Sequence, residues 1–196
     1  KYDIKELIGH SSFAYVLKAA DKQTGEDIAI KIIKNSMIRN QEKINFQRNI
    51  MISSYLNIPG VIKNLGYRLP LSEDEKKDPN KIQSITLDCN NIDCTGYILF
   101  QELIKHRNIS DLNKSYLNSK INNYETMNPT VRSKIIYGVA SIMKKFHEKR
   151  QIHRDLKLES IFLDDRLEVK IGSLFFSKYV TNDCEMTMAI GTPYTM

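Results

Sequence analysis

The sequence predicts an α+β chain in two lobes, a strand-rich first part and a second part built around one long helix. Three observations carry this. Residues 1–35 alternate apolar and polar positions at strand period on either side of a turn signal. Residues 129–149 form a capped amphipathic helix, and two short apolar runs joined by Asp164-Asp165 follow it. Strands, helix and strands followed by helix, short strands and loop is a two-lobed α+β order.

The elements follow in chain order. Ile4, Leu7 and Ile8 lead to Gly9, and Phe13, Tyr15 and Leu17 alternate with small or polar residues. Lys22-Gln23-Thr24-Gly25 reads as a turn, and Ile28-Ala29-Ile30-Lys31-Ile32-Ile33 as a buried strand, giving an antiparallel three-stranded opening. Residues 40–56 show a loose helical stripe of Ile44, Ile50 and Leu56, closed by Pro59-Gly60. A strand is expected from Val61 to Tyr67. Residues 70–96 are charged, then rich in Asn, Asp and Cys, and read as an exposed loop or insertion with a short strand at Ile85-Thr86-Leu87. Another strand is expected from Tyr97 to Ile104, and a short helix near Ser110 to Leu117. For the long helix, Asn128 is the cap and Pro129 suits the first turn, with Val131, Ile135, Val139, Ile142 and Phe146 on one face. The helix is expected to leave part of that face exposed. Strands at Ile161-Phe162-Leu163 and Glu168-Val169-Lys170-Ile171 complete the reading.

Composition narrows the function classes. The chain has 196 residues, 41% hydrophobic and 27% charged, an ordinary globular balance. Its net charge of +6 is compatible with nucleic acid or a phosphate ligand. However, the basic residues are scattered and do not interleave with aromatics, so no nucleic-acid partner is expected. No apolar run approaches membrane-spanning length, so no membrane insertion is expected. The 3 cysteines, Cys89, Cys94 and Cys184, are too few for a disulfide framework and read as free loop thiols. They suit a reducing compartment, so a cytoplasmic or otherwise intracellular domain is the expectation. The chain opens on Lys1, which reads as a piece of a longer protein.

The chemistry-bearing motifs lie at five places. They are Gly9 to Val16, Ile28-Ala29-Ile30-Lys31, Ile152-His153-Arg154-Asp155-Leu156-Lys157-Leu158-Glu159-Ser160, the Lys170-Ile171 strand before residue 173, and Gly191-Thr192-Pro193. In that order they resemble the eukaryotic-type protein kinase domain, and Lys157 favours its serine/threonine branch. The resemblance runs over essentially the whole chain and stops just before the expected Ala-Pro-Glu. It implies a kinase N-lobe and hinge over residues 1–104, with an insertion at about 70–96. Residues 105–196 would be the first part of a mainly helical C-lobe, incomplete here.

The resemblance also implies roles. Asp155 would accept the substrate hydroxyl's proton and Lys157 would steady the γ-phosphate. ATP is the implied cofactor. Lys31 would reach its α- and β-phosphates, with Gly9 in the phosphate loop. Val16, Ala29 and Phe162 would sandwich adenine, the hinge from Glu102 to Ile104 would bond it through backbone groups, and Gln101 would control the back of the pocket. Arg154 would pair with an activation-loop phosphate, for which Thr187 is a candidate. The implied partner is a protein substrate or a regulatory protein.

Departures from the pattern fall on the metal. The phosphate loop G-x-G-x-x-G reads Gly9-His10-Ser11-Ser12-Phe13-Ala14, a tolerable change because Ser and Ala are small. The catalytic-loop Asn that holds Mg²⁺ is Ser160, and Asp-Phe-Gly is Ser173-Leu174-Phe175. Mg²⁺ wants hard anionic oxygens, so these two degenerate positions are expected to hold it poorly. Asp164 and Asp165 belong to a turn expected to point away. The helix glutamate that should pair with Lys31 falls on Asn49, with Glu42 two turns earlier. Losing one preorganised electrostatic contributor costs about 2.7–4 kcal/mol. The expectation is therefore a catalytically impaired kinase domain acting as a pseudokinase or binding module. The alternative is an active atypical serine/threonine kinase that keeps Lys31, Asp155 and Lys157. A small-molecule kinase is disfavoured by Gly191-Thr192-Pro193-Tyr194, which resembles a protein-substrate docking segment.

Overall fold

A computed structural model describes residues 2–11, 13–34, 47, 50, 56–72, 74–77, 92, 94–105, 108–118 and 128–180. The chain divides into two compact units. One holds Lys1–Tyr55 and Lys63–Leu103, the other Leu56–Ile62 and Ile104–Met196.

The first unit is a five-stranded antiparallel sheet of order β1-β2-β3-β5-β4. Its strands are β1 (Tyr2–His10), β2 (Ala14–Asp21), β3 (Asp27–Ile33), β4 (Asn64–Arg68) and β5 (Ile98–Glu102). The period-2 alternation sorts its two faces. Leu17, Ala19, Ile28, Ile30, Ile32 and Ile98 pack on one face, with Tyr2, Ile4, Ile92 and Phe100 around them. Tyr2 stacks on Phe100 at 4.8 Å between ring centroids.

Two readings of this unit change. The expected Val61–Tyr67 strand starts only at Asn64, because residues before it pair in the other unit: Ile171 N donates to Gly60 O and Ile62 N to Ile171 O. The end of the supposed exposed insertion is packed down. Cys94 is 4% exposed, joins the apolar face and accepts an Arg68 guanidinium bond at its carbonyl. Its thiol is buried and donates to Ile92 O at 3.3 Å. Earlier in the segment, Ser72 and Glu75 cap a short 3-10 turn, Glu75–Lys77, reciprocally: Glu75 N donates to Ser72 Oγ, and Ser72 N to Glu75 Oε2. The expected strand at 85–87, Cys89, and most of the expected helix at 40–56 lie outside the described residues. Gln47 and Ile50 are helical.

The second unit is built on α1 (Ile109–Asn118) and α2 (Pro129–Glu148). Asn108 Oδ1 caps α1 by accepting Asp111 N, and Asn128 Oδ1 caps α2 by accepting Val131 N. Ile142 and Phe146 of α2 pack with Ile161, Leu163, Val169 and Ile171, and Ile135 and Val139 lie against that core. The anticipated apolar face is therefore largely covered, and the exposed large hydrophobic residues of α2 are its neighbours Ile136 and Tyr137, at 71% and 77%. Gly138 lets α2 come this close: a Cβ there would stand 2.6 Å from Val169 Cγ2.

Short elements then frame a loop. Strands β6 (Gln151–Ile152) and β9 (Lys178–Tyr179) pair, as do β7 (Ile161–Leu163) and β8 (Val169–Ile171). Single 3-10 turns lie at Leu158–Ser160 and Leu174–Phe176. Among the described residues, no helix is long and apolar enough to cross a membrane.

Candidate active site

Strand register gathers the predicted residues of the first unit. Gly9 pairs with Val16, Val16 with Lys31, Ala29 with Gln101, and Asn64 with Gln101. Directly paired residues point the same way, so Val16, Ala29, Lys31 and Gln101 share the face opposite the apolar core. Gln101 donates through Nε2 to Asn64 Oδ1 at 2.7 Å, which ties this polar residue to β4. Glu102 ends β5 with a double link to residue 63. Its N–H donates to Lys63 O at 3.0 Å, and its Oε1 accepts Lys63 N at 2.7 Å.

In the second unit, β6 delivers a loop held by side-chain and backbone bonds at His153, Arg154, Asp155, Lys157 and Ser160. His153 is 3% exposed. Its Nε2–H donates to Gly172 O at 2.9 Å, and its Nδ1 accepts Asp155 N–H at 3.3 Å. That arrangement needs the neutral imidazole. Burial pushes the His153 pKa below its usual range, against the opposing pull of the Gly172 bond and the Asp155 charge. Phe146 of α2 lies beneath, its ring centroid 6.1 Å from that of His153. Arg154 takes a left-handed backbone with φ 63° and donates from Nε to Phe176 O at 2.5 Å.

Asp155 is 5% exposed, and its Oδ2 accepts Lys157 Nζ at 2.9 Å. Asp155 is thus a buried carboxylate held beside an ammonium. Ser160 is fully buried. Its hydroxyl donates to Lys157 O at 2.8 Å and accepts Lys157 N–H at 3.0 Å, and its carbonyl accepts Gly172 N at 2.8 Å. Ser160 therefore staples the loop to the residue before position 173. Phe162 is half-buried in β7. A Cβ on Gly172 would stand 2.9 Å from Ile62 Cδ1 and 3.4 Å from the Phe162 ring, so the small residue makes room for Ile62 above all. Ile104 is half-buried and opens the second run of this unit.

These residues do not fit a Mg²⁺ ion. The Ser160 hydroxyl is already a backbone donor and acceptor. Ser173, half-buried with φ 62°, offers a neutral hydroxyl where a carboxylate would be needed. Asp164 Oδ1 accepts the N–H groups of Arg166 and Glu168 at 2.9 Å each, and Asp165 pairs with Lys105 at 3.2 Å. For Asp164, burial works against ionisation, but those two N–H bonds win and hold its carboxyl below the usual range. Both turn carboxylates are thus committed locally. Among the described residues, no three His, Cys, Asp or Glu side chains converge as a metal site.

The sequence assigned no role to His153 or Asn64, although each is a polar residue in a strand or motif already singled out. Asn49, Glu42, Thr187 and the Gly191-Thr192-Pro193 segment lie outside the described residues.

The family model described as "Protein kinase domain" matches residues 2–196. Calcium-dependent protein kinase 5 of Plasmodium berghei is 30% identical over 193 residues, covering 97% of this chain and 28% of that protein. Serine/threonine-protein kinase polo of Drosophila melanogaster is 29% identical over 194 residues, covering 98% and 28% respectively. Sporulation-specific protein 1 of Saccharomyces cerevisiae is 27% identical over 196 residues, covering 100% and 34%. The chain thus spans about a third or less of the length of these curated relatives.

Proposed function

This chain belongs to the protein kinase family, and on that premise we propose that it is a serine/threonine-type kinase domain impaired in phosphoryl transfer. It acts as a pseudokinase, a regulatory module that binds a protein partner inside the cell. The observation that carries this is Ser160: the residue standing for a metal ligand is fully buried and bonded through its hydroxyl to the Lys157 backbone. Ser173, without a carboxylate, removes the second metal ligand.

Nucleotide contact is retained in this reading. By resemblance to the family, Val16, Ala29 and Phe162 would contact adenine, the Glu102 to Ile104 backbone would bond its edge, and Gly9 and Lys31 would serve the phosphates. ATP, when bound, would supply the phosphoryl group; Asp155 and Lys157 remain as the base and the phosphate contact. Without Mg²⁺ to neutralise developing charge, that pair alone leaves transfer very slow.

The full chain, incubated with labelled ATP and Mg²⁺, is expected to label neither itself nor a generic protein substrate. Clear transfer that disappears in Asp155→Asn would overturn the reading. The intact Asp155–Lys157 pair at 2.9 Å favours one second reading, an active atypical serine/threonine kinase. Stabilisation by ATP only in the presence of Mg²⁺ would select it.

A further inference from the structure

The turn between β1 and β2 is closed by one of its own side chains. Ser11 N donates to Ala14 O at 2.9 Å. The Ser11 Oγ accepts two N–H groups, from Phe13 at 3.2 Å and from Ala14 at 3.1 Å. From β3's end, Lys34 Nζ donates to Ser11 O at 2.6 Å and lies 4.3 Å from the Tyr15 ring centroid. The lysine thus clamps the Ser11 backbone, while the serine hydroxyl sits on the Phe13 and Ala14 amides and itself donates to Ala14 O at 3.4 Å.

Successive backbone N–H groups converging on one point form an anion-binding concavity. A glycine-rich turn over nucleotide phosphates works by leaving such groups open, with glycine so that nothing intrudes. Here the converging groups are present, but their focus is already occupied by an oxygen. That oxygen belongs to Ser11, the residue standing at the second glycine position.

We propose that the Ser11 hydroxyl is a built-in occupant of the phosphate position of this turn, so that the site discriminates against phosphorylated nucleotides and takes the bare nucleoside about as well. Resting on the nucleotide-site reading above, this makes Ser11 the specificity-determining residue of the turn. The block is competitive. A phosphate oxygen is charged and accepts roughly twice as strongly as a neutral hydroxyl. The hydroxyl, however, is tethered within two and three residues of the amides it occupies. Ser11 is exposed, so its removal does not open the core.

Calorimetric titration of the full chain with adenosine and with ADP, without metal, tests this. The wild-type chain is expected to bind the two within about threefold of each other. Ser11→Ala and Ser11→Gly are expected to bind ADP roughly tenfold more tightly with adenosine unchanged, the worth of about one recovered hydrogen bond to a charged acceptor. Ser11→Thr, which keeps a hydroxyl, should behave as wild type. An ADP-to-adenosine ratio that is equal in wild type, Ala and Gly variants would overturn the proposal. So would a wild-type chain that already prefers ADP strongly, or a set of variants none of which binds either ligand. None of these outcomes bears on the absence of phosphoryl transfer, which the labelled-ATP assay reads separately.

Discussion

Ser11 and Ser160 are the same side chain doing the same local thing in two different surroundings. Each stands where a kinase pattern has another residue, and each turns its hydroxyl onto backbone groups within three residues. Ser11 does so from an exposed position of the first unit, where water or a ligand can take over the bond from Phe13, while the bond from Ala14, itself 2% exposed, is partly buried. Ser160 does so at 0% exposure in the second unit, where no water waits as a substitute. A net hydrogen bond is worth about 0.5–1.5 kcal/mol, but a buried group left without its partner costs about 1–3 kcal/mol. Exposure therefore decides which serine is a replaceable occupant and which is a fixed staple.

The largest expected effect tests whether the staple rests on a core at all. Phe146 is fully buried in α2, under His153. Phe146→Ala should remove about 3–5 kcal/mol of unfolding free energy, read by urea titration. A loss under about 1 kcal/mol would mean that the loop stands without this support. Next in size is Ser160→Ala, with an expected loss of about 1–3 kcal/mol. Ser160→Asn restores the kinase-pattern side chain but must fit extra atoms into a filled site, with a cost of about 1–3 kcal/mol. If Ser160→Asn were instead neutral, the site would have room for an amide, and the case against a metal ligand there would weaken.

Much of this was legible in the sequence because it is local. The sheet follows from alternation in residues 1–35, and α2 from Asn128-Pro129 and its apolar stripe, later found packed on Ile161 and Val169. The motif from Ile152 to Ser160 carried the resemblance to the family that the chain proves to match. What escaped depends on partners distant in sequence. Residues 60–62 pair with Ile171 rather than continuing into β4, and no local pattern announces that. Cys94 reads as a loop thiol by its Asn- and Asp-rich neighbours, yet lies in the apolar face with Leu17 and Ile30. Ser11 reads as a tolerable replacement of a glycine and Ser160 as a lost metal ligand, whereas their gained backbone bonds required coordinates.

The pH dependence sharpens the comparison further, because the staple's network includes a titratable group. His153 is neutral in the fold, with its pKa below the unfolded value of 6.5. Asp155 pulls it upward, and Lys157, with the desolvating surroundings, pushes it downward. As pH falls below about 6.5, the unfolded chain takes up a proton that the native chain resists, so stability falls with pH. The contribution is fully present above that point and is lost toward the lowered native value, at no more than about 1.4 kcal/mol per pH unit for one proton. His153→Gln should flatten the difference in unfolding free energy between pH 7 and pH 5. An unchanged slope would place the sensitivity elsewhere.

The smallest expected effect is the one on which the contrast depends. Ser11→Ala deletes an acceptor of two N–H groups, which on a bond count alone looks as damaging as Ser160→Ala. The Phe13 amide leaves the hydroxyl at an exposed turn, where water can satisfy it, whereas the Ala14 amide, in a residue only 2% exposed, is replaced less readily. The backbone bond from Ser11 N to Ala14 O and the Lys34 clamp on Ser11 O both survive the substitution, since neither uses the side chain. The change in unfolding free energy should therefore stay at or below about 1 kcal/mol, under that of the fully buried Ser160→Ala. The same urea titration that reads Ser160→Ala measures it. A loss comparable to that of Ser160→Ala would make the Ser11 hydroxyl a structural staple too. Its removal would then collapse the turn instead of opening it, and no gain in ADP affinity could follow.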